Sequence, residues 1–357
     1  MSGDVDPLRT SGRRVLLVGG AGFIGHALAL RLKAGGADPL VVDSFTVNHI
    51  KSPTEMSRPG INRDLYLTIA GHRLELLNEA GIRVVEQDAR DSAALATIVE
   101  EFRPDAVVVL AAISHASRSN ANPHRAFENG AGTLEASLEA VRGVPGTHLV
   151  YMSSSMVYGD FATPTVDETA PCDPLGIYGA LKFGGETLVR AYHRVFGLEY
   201  TIVRPSAAYG PGCIGRRFIQ TSIENALGGM PLQIKGDGAE KIDFTYIDDL
   251  VDGLVRVIEV PQARNEVINI TTGNATSLLT AATLVSARFP GSTIQHLERE
   301  ALLPKRGTLD IGKARRLLGF EPRWNAQTGI DAYVDWYLAL RDQSPGLFVI
   351  EAPLANE

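Results

Sequence analysis

The stretch RVLLVGGAGFIG, residues 14–25, constrains this 357-residue chain more than any other. An apolar strand-like run leads straight into Gly19, Gly22 and Gly25, spaced G-x-x-G-x-x-G where a helix opens. There the first glycine permits a tight turn, the second lets backbone approach a pyrophosphate, and the third lets helix and strand pack closely. The helix N-terminus adds amide donors and the positive end of its dipole. Asp43 ends the next strand-like run, PLVVD (39–43). A carboxylate there accepts from both hydroxyls of an adenosine ribose and repels a 2′-phosphate, favouring NAD over NADP. The plain alternative is a glycine-rich turn beside a strand-capping aspartate. Strand, turn, helix and acid in register favour the cofactor site.

Further apolar runs follow at IRVVEQD (82–88), DAVVVLAA (105–112), THLVYMSS (147–154) and YTIVRP (200–205), separated by helical patterns. Short continuous runs of this kind are the mark of doubly buried parallel strands, and the alternation predicts a doubly wound α/β sheet. After residue 205 the rhythm loosens: YGPG (209–212), a helix over 216–228, a Gly-Asp-Gly turn (236–238) and a strand-like IDFTYID (242–248). VINIT (267–271) can return to the sheet, while DIGKARRLLGF (310–320) and DAYVDWYLALR (331–341) look like helices of a smaller lobe. The expected organisation is a dinucleotide-binding domain over 1–205 plus about 243–271, a substrate-binding α/β lobe over 206–242 plus about 272–345, and a tail at 346–357. Residues 44–80 are too long for an ordinary connection and predict an insertion with one amphipathic helix, LYLTIAGHRLELLNEAG, placed over the cleft.

Composition narrows the function classes. With 45% hydrophobic and 21% charged residues, the chain has the makeup of an ordinary globular protein. A net charge of −7 argues against a nucleic-acid or anionic-membrane binder, so an anionic ligand must be held by local basic groups. Cys172 and Cys213 form neither a metal-spaced pair nor a disulfide framework, which suits a reducing compartment; no metal is expected. No window approaches 18 uninterrupted apolar residues and the start lacks an apolar signal region, so a cytoplasmic location is expected.

Tyr178 and Lys182, in GIYGALKFGGE, are an i, i+4 pair on one helical face. A phenol of pKa about 10 is a poor base at neutral pH, but a neighbouring ammonium and an oxidised nicotinamide both favour phenolate. That makes Tyr178 a usable acid/base, and Lys182 has the reach to hold the nicotinamide ribose. A surface Tyr–Lys pair is the alternative. Against it stands the serine run of YMSSSMVYGD (151–160), which falls at the C-terminal edge of the sheet, where ligands of open α/β folds bind. Asp88, in QDARD, ends the third strand and either accepts from the adenine amino group or caps the helix over SAALATIVE. Ala111 and Ala112 end the fourth strand, where small residues let backbone come close to the cofactor.

VGGAGFIG, LAAISHASRS, YMSSSMVYGD, YGALK, RPSAAYGPG, GDGAEKIDFTYIDD and DIGKARRLLGFEP together resemble the extended short-chain dehydrogenases/reductases of the nucleotide-sugar epimerase/dehydratase group, over most of the chain. The resemblance implies a Rossmann sheet, NAD as cofactor, a nucleotide-sugar substrate and a homodimer built on helices near 124–142 and 178–196. It assigns catalysis to Ser154, four residues before Tyr158, with Tyr178 and Lys182, and leaves Ser153 and Ser155 to satisfy backbone or cofactor groups. Asn129 matches a family Asn near the nicotinamide end, with turn or cap duty as its alternative. Phe23, Ile24, Ala89 and Pro205 complete the cofactor contacts.

By the same resemblance, Tyr178 takes a proton from a sugar hydroxyl, commonly at C4, and the bound ketone is epimerised, dehydrated or decarboxylated. Dehydratases of the group carry Asp-Glu after the catalytic Thr, and decarboxylases a Glu at the second of these positions. This chain has Ser155 and Met156, so epimerisation of a UDP-sugar or UDP-uronic acid leads. A 4,6-dehydratase, a net dehydrogenase/reductase of a modified sugar and a non-catalytic NAD-binding protein are the alternatives. The SHASRS stretch resembles the dehydratases, with Ser114 and His115 as pocket residues; backbone bonding at a strand end is the alternative for His115. Two family phosphate contacts are replaced, an Asn by Ala207 and an Arg by Ile242. Arg216, Arg217, Lys235, Lys241 and Arg306 are the candidates to make up for them.

Overall fold

Seven parallel strands form the central sheet of the computed structural model, which describes residues 10–46, 62–112, 116–299 and 303–348. They are β1 (Arg14–Val18), β2 (Asp38–Asp43), β3 (Arg83–Glu86), β4 (Ala106–Val109), β5 (His148–Met152), β6 (Tyr200–Pro205) and β7 (Glu266–Ile270). Their order is β7-β6-β5-β4-β1-β2-β3, so the chain winds outward from β1 to β3 and then restarts on the other side at β4. Val15 pairs with Ala106 and Val18 with Val109 across that switch point, where open α/β sheets bind ligands at the strand C-termini.

Alternate residues of β1 serve opposite layers, as a strand covered on both faces requires. Val15 and Leu17 enter the core under α1 (Phe23–Ala34), whereas Leu16 and Val18 enter the core under α3 (Ser92–Phe102) and α4 (Thr133–Arg142). The long helix α5 (Ile177–Phe196) completes the second layer: the Asn120 side chain accepts from the Ile177 N–H at its start, and Gly197 ends it at φ +70°. Past β6 come α6 (Phe218–Leu227), α7 (Ile247–Glu259), α8 (Leu278–Ala287), α9 (Gly312–Leu318) and α10 (Ala326–Gln343). Small two-stranded sheets join them, pairing Leu232–Lys235 with Ile294–Leu297 and Thr165–Val166 with Thr308–Leu309.

Three local expectations change. IDFTYID is not one strand: Lys241–Ile242 pairs with Thr276–Ser277, Thr245–Tyr246 pairs with Ala208–Tyr209, and α7 starts at Ile247. Helix α9 lies against β7 and α7 at the edge of the large sheet, with Lys313 Nζ donating to the Val267 carbonyl at 2.9 Å. The insertion helix, α2 (Arg63–Glu79), is real but flanks α1 instead of covering the cleft. Asn62 caps it by accepting from the Leu65 N–H, and its buried stripe runs through Leu65, Ile69, Arg73 and Leu77 at every fourth residue.

One buried polar cluster ties α2 to the second half of the chain. Glu224 of α6, fully buried, accepts from Tyr66 Oη at 2.9 Å, Gln220 Nε2 at 2.9 Å and Tyr337 Oη at 2.5 Å. Burial pushes its carboxyl up to about 6 despite these donors. The start of the C-terminal tail also packs inward, Phe348 lying edge-on to Tyr337. Among the described residues no helix is long and apolar enough to cross a membrane.

Candidate active site

The glycine loop is shaped by contacts that no side chain could share. Gly19 has φ +80° and donates to the Val42 carbonyl at 2.8 Å; a Cβ on it would lie 2.7 Å from the Ala111 N and Cα. A Cβ on Gly25 would lie 2.5 Å from the Gly20 Cα, which is how close α1 comes to the turn. Gly22 starts α1 with no side-chain cap, and the first turn, which includes Phe23 and Ile24, carries no acid. Its amide donors therefore point to an anion from outside the helix.

Asp43 closes the loop from β2, accepting from the Ala21 N–H at 3.0 Å and the Phe45 N–H at 2.8 Å. Ala89 is buried and Ala111 packs on the same core, while Pro205 ends β6 opposite Ile270. These positions fit a dinucleotide laid across the switch point. Asp88 is held by Arg90, whose Nε and Nη2 reach its oxygens at 3.0 and 2.6 Å and keep the carboxyl below its usual range. The residue that caps α3 is Asp91, accepting from the Ala94 N–H at 3.1 Å, so the capping alternative for Asp88 does not hold.

Ser154, just past the end of β5, lies beside Tyr178, which shares the first turns of α5 with Lys182. Ser154 leaves β5 in extended backbone and caps the 3-10 turn Ser155–Tyr158, accepting from the Met156 N–H at 3.2 Å. Its hydroxyl hydrogen-bonds the Tyr178 phenol. Tyr178 and Lys182 line a small cleft with Ala112, Gly130, Tyr151 and Leu181. Asn129 lies in the π-helical turn Glu128–Gly132 behind that cleft, its side chain donating to the Arg125 carbonyl at 2.8 Å. Wide turns of this type are often found at functional sites.

The electrostatics differ from the expected Tyr–Lys coupling. Burial raises the Tyr178 pKa; Arg217 and then the Ser154 hydrogen bond pull it back, so the cation acting on the phenol is Arg217. Lys182 donates to the Met152 carbonyl at 2.6 Å and sits 5.0 Å from the Tyr151 ring centroid. Burial brings its ammonium down to about 8, with Glu186 opposing. Replacing Arg217 by Gln is therefore expected to move the acidic limb of the kcat/KM profile to higher pH, because the phenol loses the charge that favours its deprotonation. A limb at the wild-type pH would exclude that coupling.

Glu186 is the residue that spacing reasoning passed over. One further turn along the 178–182 stripe, and fully buried, it accepts from Ser153 Oγ at 2.6 Å, Arg204 Nε at 2.8 Å, Arg204 Nη2 at 2.7 Å and Arg190 Nη2 at 3.0 Å. Ser153 thus serves a side chain, not backbone or cofactor, and Arg204 stacks 4.8 Å over the Tyr158 ring.

The candidate substrate residues divide. Ser155 is buried and Met156 half-buried on the turn after Ser154. Arg216, at φ +50°, acts on the buried Glu224 and Tyr66, whereas Arg217 acts on Tyr178, Cys213 and Arg306. Arg306 reaches Glu240 at 3.4 Å. Lys235 ends its strand and Lys241 is exposed at the start of another. Ser114 and His115 lie outside the described residues. Ala207 has φ +34°, a left-handed conformation that costs a side chain about 1 kcal/mol. Ala207→Gly is expected to raise the unfolding free energy by about that amount in urea titration.

Comparison with known proteins bears on the fold, the family and the cofactor. The profile of the NAD dependent epimerase/dehydratase family matches residues 15–271. The dTDP-glucose 4,6-dehydratase of Salmonella typhimurium is 30% identical over 91% of this chain and 93% of its own. The UDP-glucuronate 4-epimerase of Thermodesulfobacterium geofontis is 30% identical over 90% of this chain and 95% of its own. Among solved structures, the UDP-glucuronic acid 4-epimerase of Bacillus cereus, in complex with UDP-glucuronic acid and NAD, has a TM-score of 0.80 at 27% identity, covering 92% of this chain and 99% of that one. The dTDP-glucose 4,6-dehydratase DesIV of Streptomyces venezuelae, with NAD bound, also scores 0.80, at 28% identity and 94% and 99% coverage. With a profile match that runs from the glycine loop to the last sheet strand, the chain belongs to the NAD dependent epimerase/dehydratase family.

Proposed function

We propose that this protein is a nucleotide-sugar 4-epimerase acting on a UDP-sugar or UDP-uronic acid. The observation that carries the reading is the turn after Ser154: it presents Ser155 and Met156, neither of which can serve as the acid and base that elimination needs. Epimerisation needs only one proton carrier and room for a keto-sugar to turn. NAD held at the glycine loop would supply a hydride acceptor that gives the hydride back. Tyr178 takes the hydroxyl proton at its Oη, Ser154 hydrogen-bonds the same substrate oxygen, and Lys182 orients the ribose from the floor of the cleft.

Arg217 supports an anionic sugar, since the cation that acts on the phenol would lie near a carboxylate one carbon from the reacting centre. Arg306 and Arg217, which repel each other, would both be relieved by a diphosphate. The Bacillus cereus structure, with UDP-glucuronic acid, supports the same substrate class. A 4,6-dehydratase is the second reading, favoured by the 30% identity to the Salmonella enzyme.

Incubating the purified protein with UDP-, dTDP-, GDP- and CDP-sugars, without added NAD, separates them. Product NMR is expected to show the C4 epimer of a UDP-sugar or uronate. Loss of water by mass would establish the dehydratase, and net NADH formation a dehydrogenase. No turnover of any sugar, with NAD bound, would support a binding protein. We also infer a homodimer through α4, α5 and the turns before α4, where Phe127, Val195 and Phe196 are exposed apolar residues; sedimentation equilibrium checks it.

A further inference from the structure

Three residues spaced four apart on one face of α5 each hold one residue at the end of β5. Tyr178 hydrogen-bonds the Ser154 hydroxyl, Lys182 Nζ donates to the Met152 carbonyl at 2.6 Å, and Glu186 Oε1 accepts from Ser153 Oγ at 2.6 Å. Tyr178 and Lys182 already have roles at the cleft. The tie between Ser153 and Glu186 has none: both residues are buried, and neither lines the cleft that Tyr178 and Lys182 share.

The Ser153 hydroxyl is not what keeps the sheet together. The Ser153 N–H donates to the Val203 carbonyl at 2.8 Å, and ladder bonds of this kind run within the plane of the sheet. They fix β5 against β6 and leave its distance to a helix above the sheet open. Nor does Glu186 depend on Ser153 to satisfy its charge, since Arg204 reaches it at 2.8 and 2.7 Å and Arg190 at 3.0 Å. The two elements nevertheless press together here. A Cβ on Gly185 would lie 2.2 Å from Tyr151 Oη, and one on Gly179 would lie 2.6 Å from the Met156 carbonyl oxygen, so α5 touches the chain on either side of Ser153 and Ser154. A hydrogen bond weakens with small changes of distance and angle, so a shift of this strand end along or away from α5 is felt directly between Ser154 and Tyr178.

We propose that Ser153 is a positioning residue for the proton transfer: its hydroxyl, anchored on Glu186, holds the end of β5 where Ser154 meets the Tyr178 phenol. Ser153 acts through its neighbour, without a contact of its own to the reacting sugar. This role presupposes proton transfer by Tyr178 with Ser154, and holds for whichever sugar is turned over.

The test compares Ser153→Ala, Ser154→Ala and the double variant in the full chain with NAD, by steady-state kinetics on the sugar that the wild type turns over. Ser153→Ala is expected to lower kcat about tenfold while the KM for the sugar and the NAD content stay at wild type. The acidic limb of its kcat/KM profile should move to higher pH, because the Ser154 hydrogen bond that favours the phenolate is loosened. In the Ser154→Ala background the same substitution should change kcat by less than about twofold, since the residue it acts through is gone. Ser153→Cys fills much the same space with a weaker donor and should lose severalfold; it takes the alanine variant's place in the cycle if that variant fails to fold. A hydroxyl with a purely structural duty would lower the melting temperature and leave kcat and the pH profile at wild type. That result would overturn the proposal, as would a loss of about tenfold repeated on top of Ser154→Ala. Wild-type kcat in Ser154→Ala itself would take Ser154 out of the reaction, and the role of Ser153 with it.

Discussion

Tyr178→Phe is expected to lower kcat by about 10²- to 10⁴-fold while NAD remains bound and the melting temperature hardly moves. The phenyl ring keeps the packing of α5 against the cleft and removes only the oxygen that carries the proton. The structure gives that oxygen two aids, the Arg217 charge and the Ser154 hydrogen bond, set against burial, which favours the neutral phenol. Ser154→Ala should therefore cost less than Tyr178→Phe, since the phenol and Arg217 survive. Steady-state kinetics with the sugar identified by NMR measures both. A loss of less than about tenfold in Tyr178→Phe would remove the phenol from proton transfer.

Glu186→Ala is expected to destabilise the fold by about 3–5 kcal/mol, read from urea unfolding. The carboxylate holds the Arg204 guanidinium, which is 2% exposed and would keep only the Glu168 carbonyl at 3.5 Å and the Tyr158 ring if its partner were lost. The penalty is that of an abandoned buried charge. Replacing both residues, as Glu186→Leu with Arg204→Met, should accordingly recover much of the loss. A double variant no more stable than the single one would show that the cost lies elsewhere. The single variant should also act on Lys182: without the negative charge one turn away, its ammonium falls further below about 8 and deprotonates within the working range.

Much of this architecture can be read before any coordinates. Six apolar runs became β1 to β6 and VINIT became β7, because strands buried on both faces must be apolar along their whole length. IDFTYID misled because β-branched and aromatic residues resemble a strand, whereas the helical period that begins at Ile247 shows only over the longer stretch IDDLVDGLVRVIE. Its Asp249 accepts from the Arg323 and Trp324 N–H groups, a tertiary contact that local pattern does not announce.

In the site, the i, i+4 spacing picks out 178 and 182, while 154 comes from the family resemblance. Glu186, the next step on that i, i+4 stripe, was passed over because its partner Arg204 comes from a different element and local pattern gives no sign of the pair. Arg216 and Arg217 were not separable, because two adjacent arginines look alike in sequence, whereas in the fold one acts on the buried Glu224 and the other on Tyr178.

The carboxyl at 224 gathers Tyr66 and Tyr337, pieces of chain that leave the ribosome far apart in time. Until α10 has been made, the early half must wait with its insertion helix only partly docked and an apolar flank open to other chains. Synthesis of this protein is thus a race between completion and self-association, and removing its last thirty or so residues should send it to the insoluble fraction instead of yielding a trimmed enzyme.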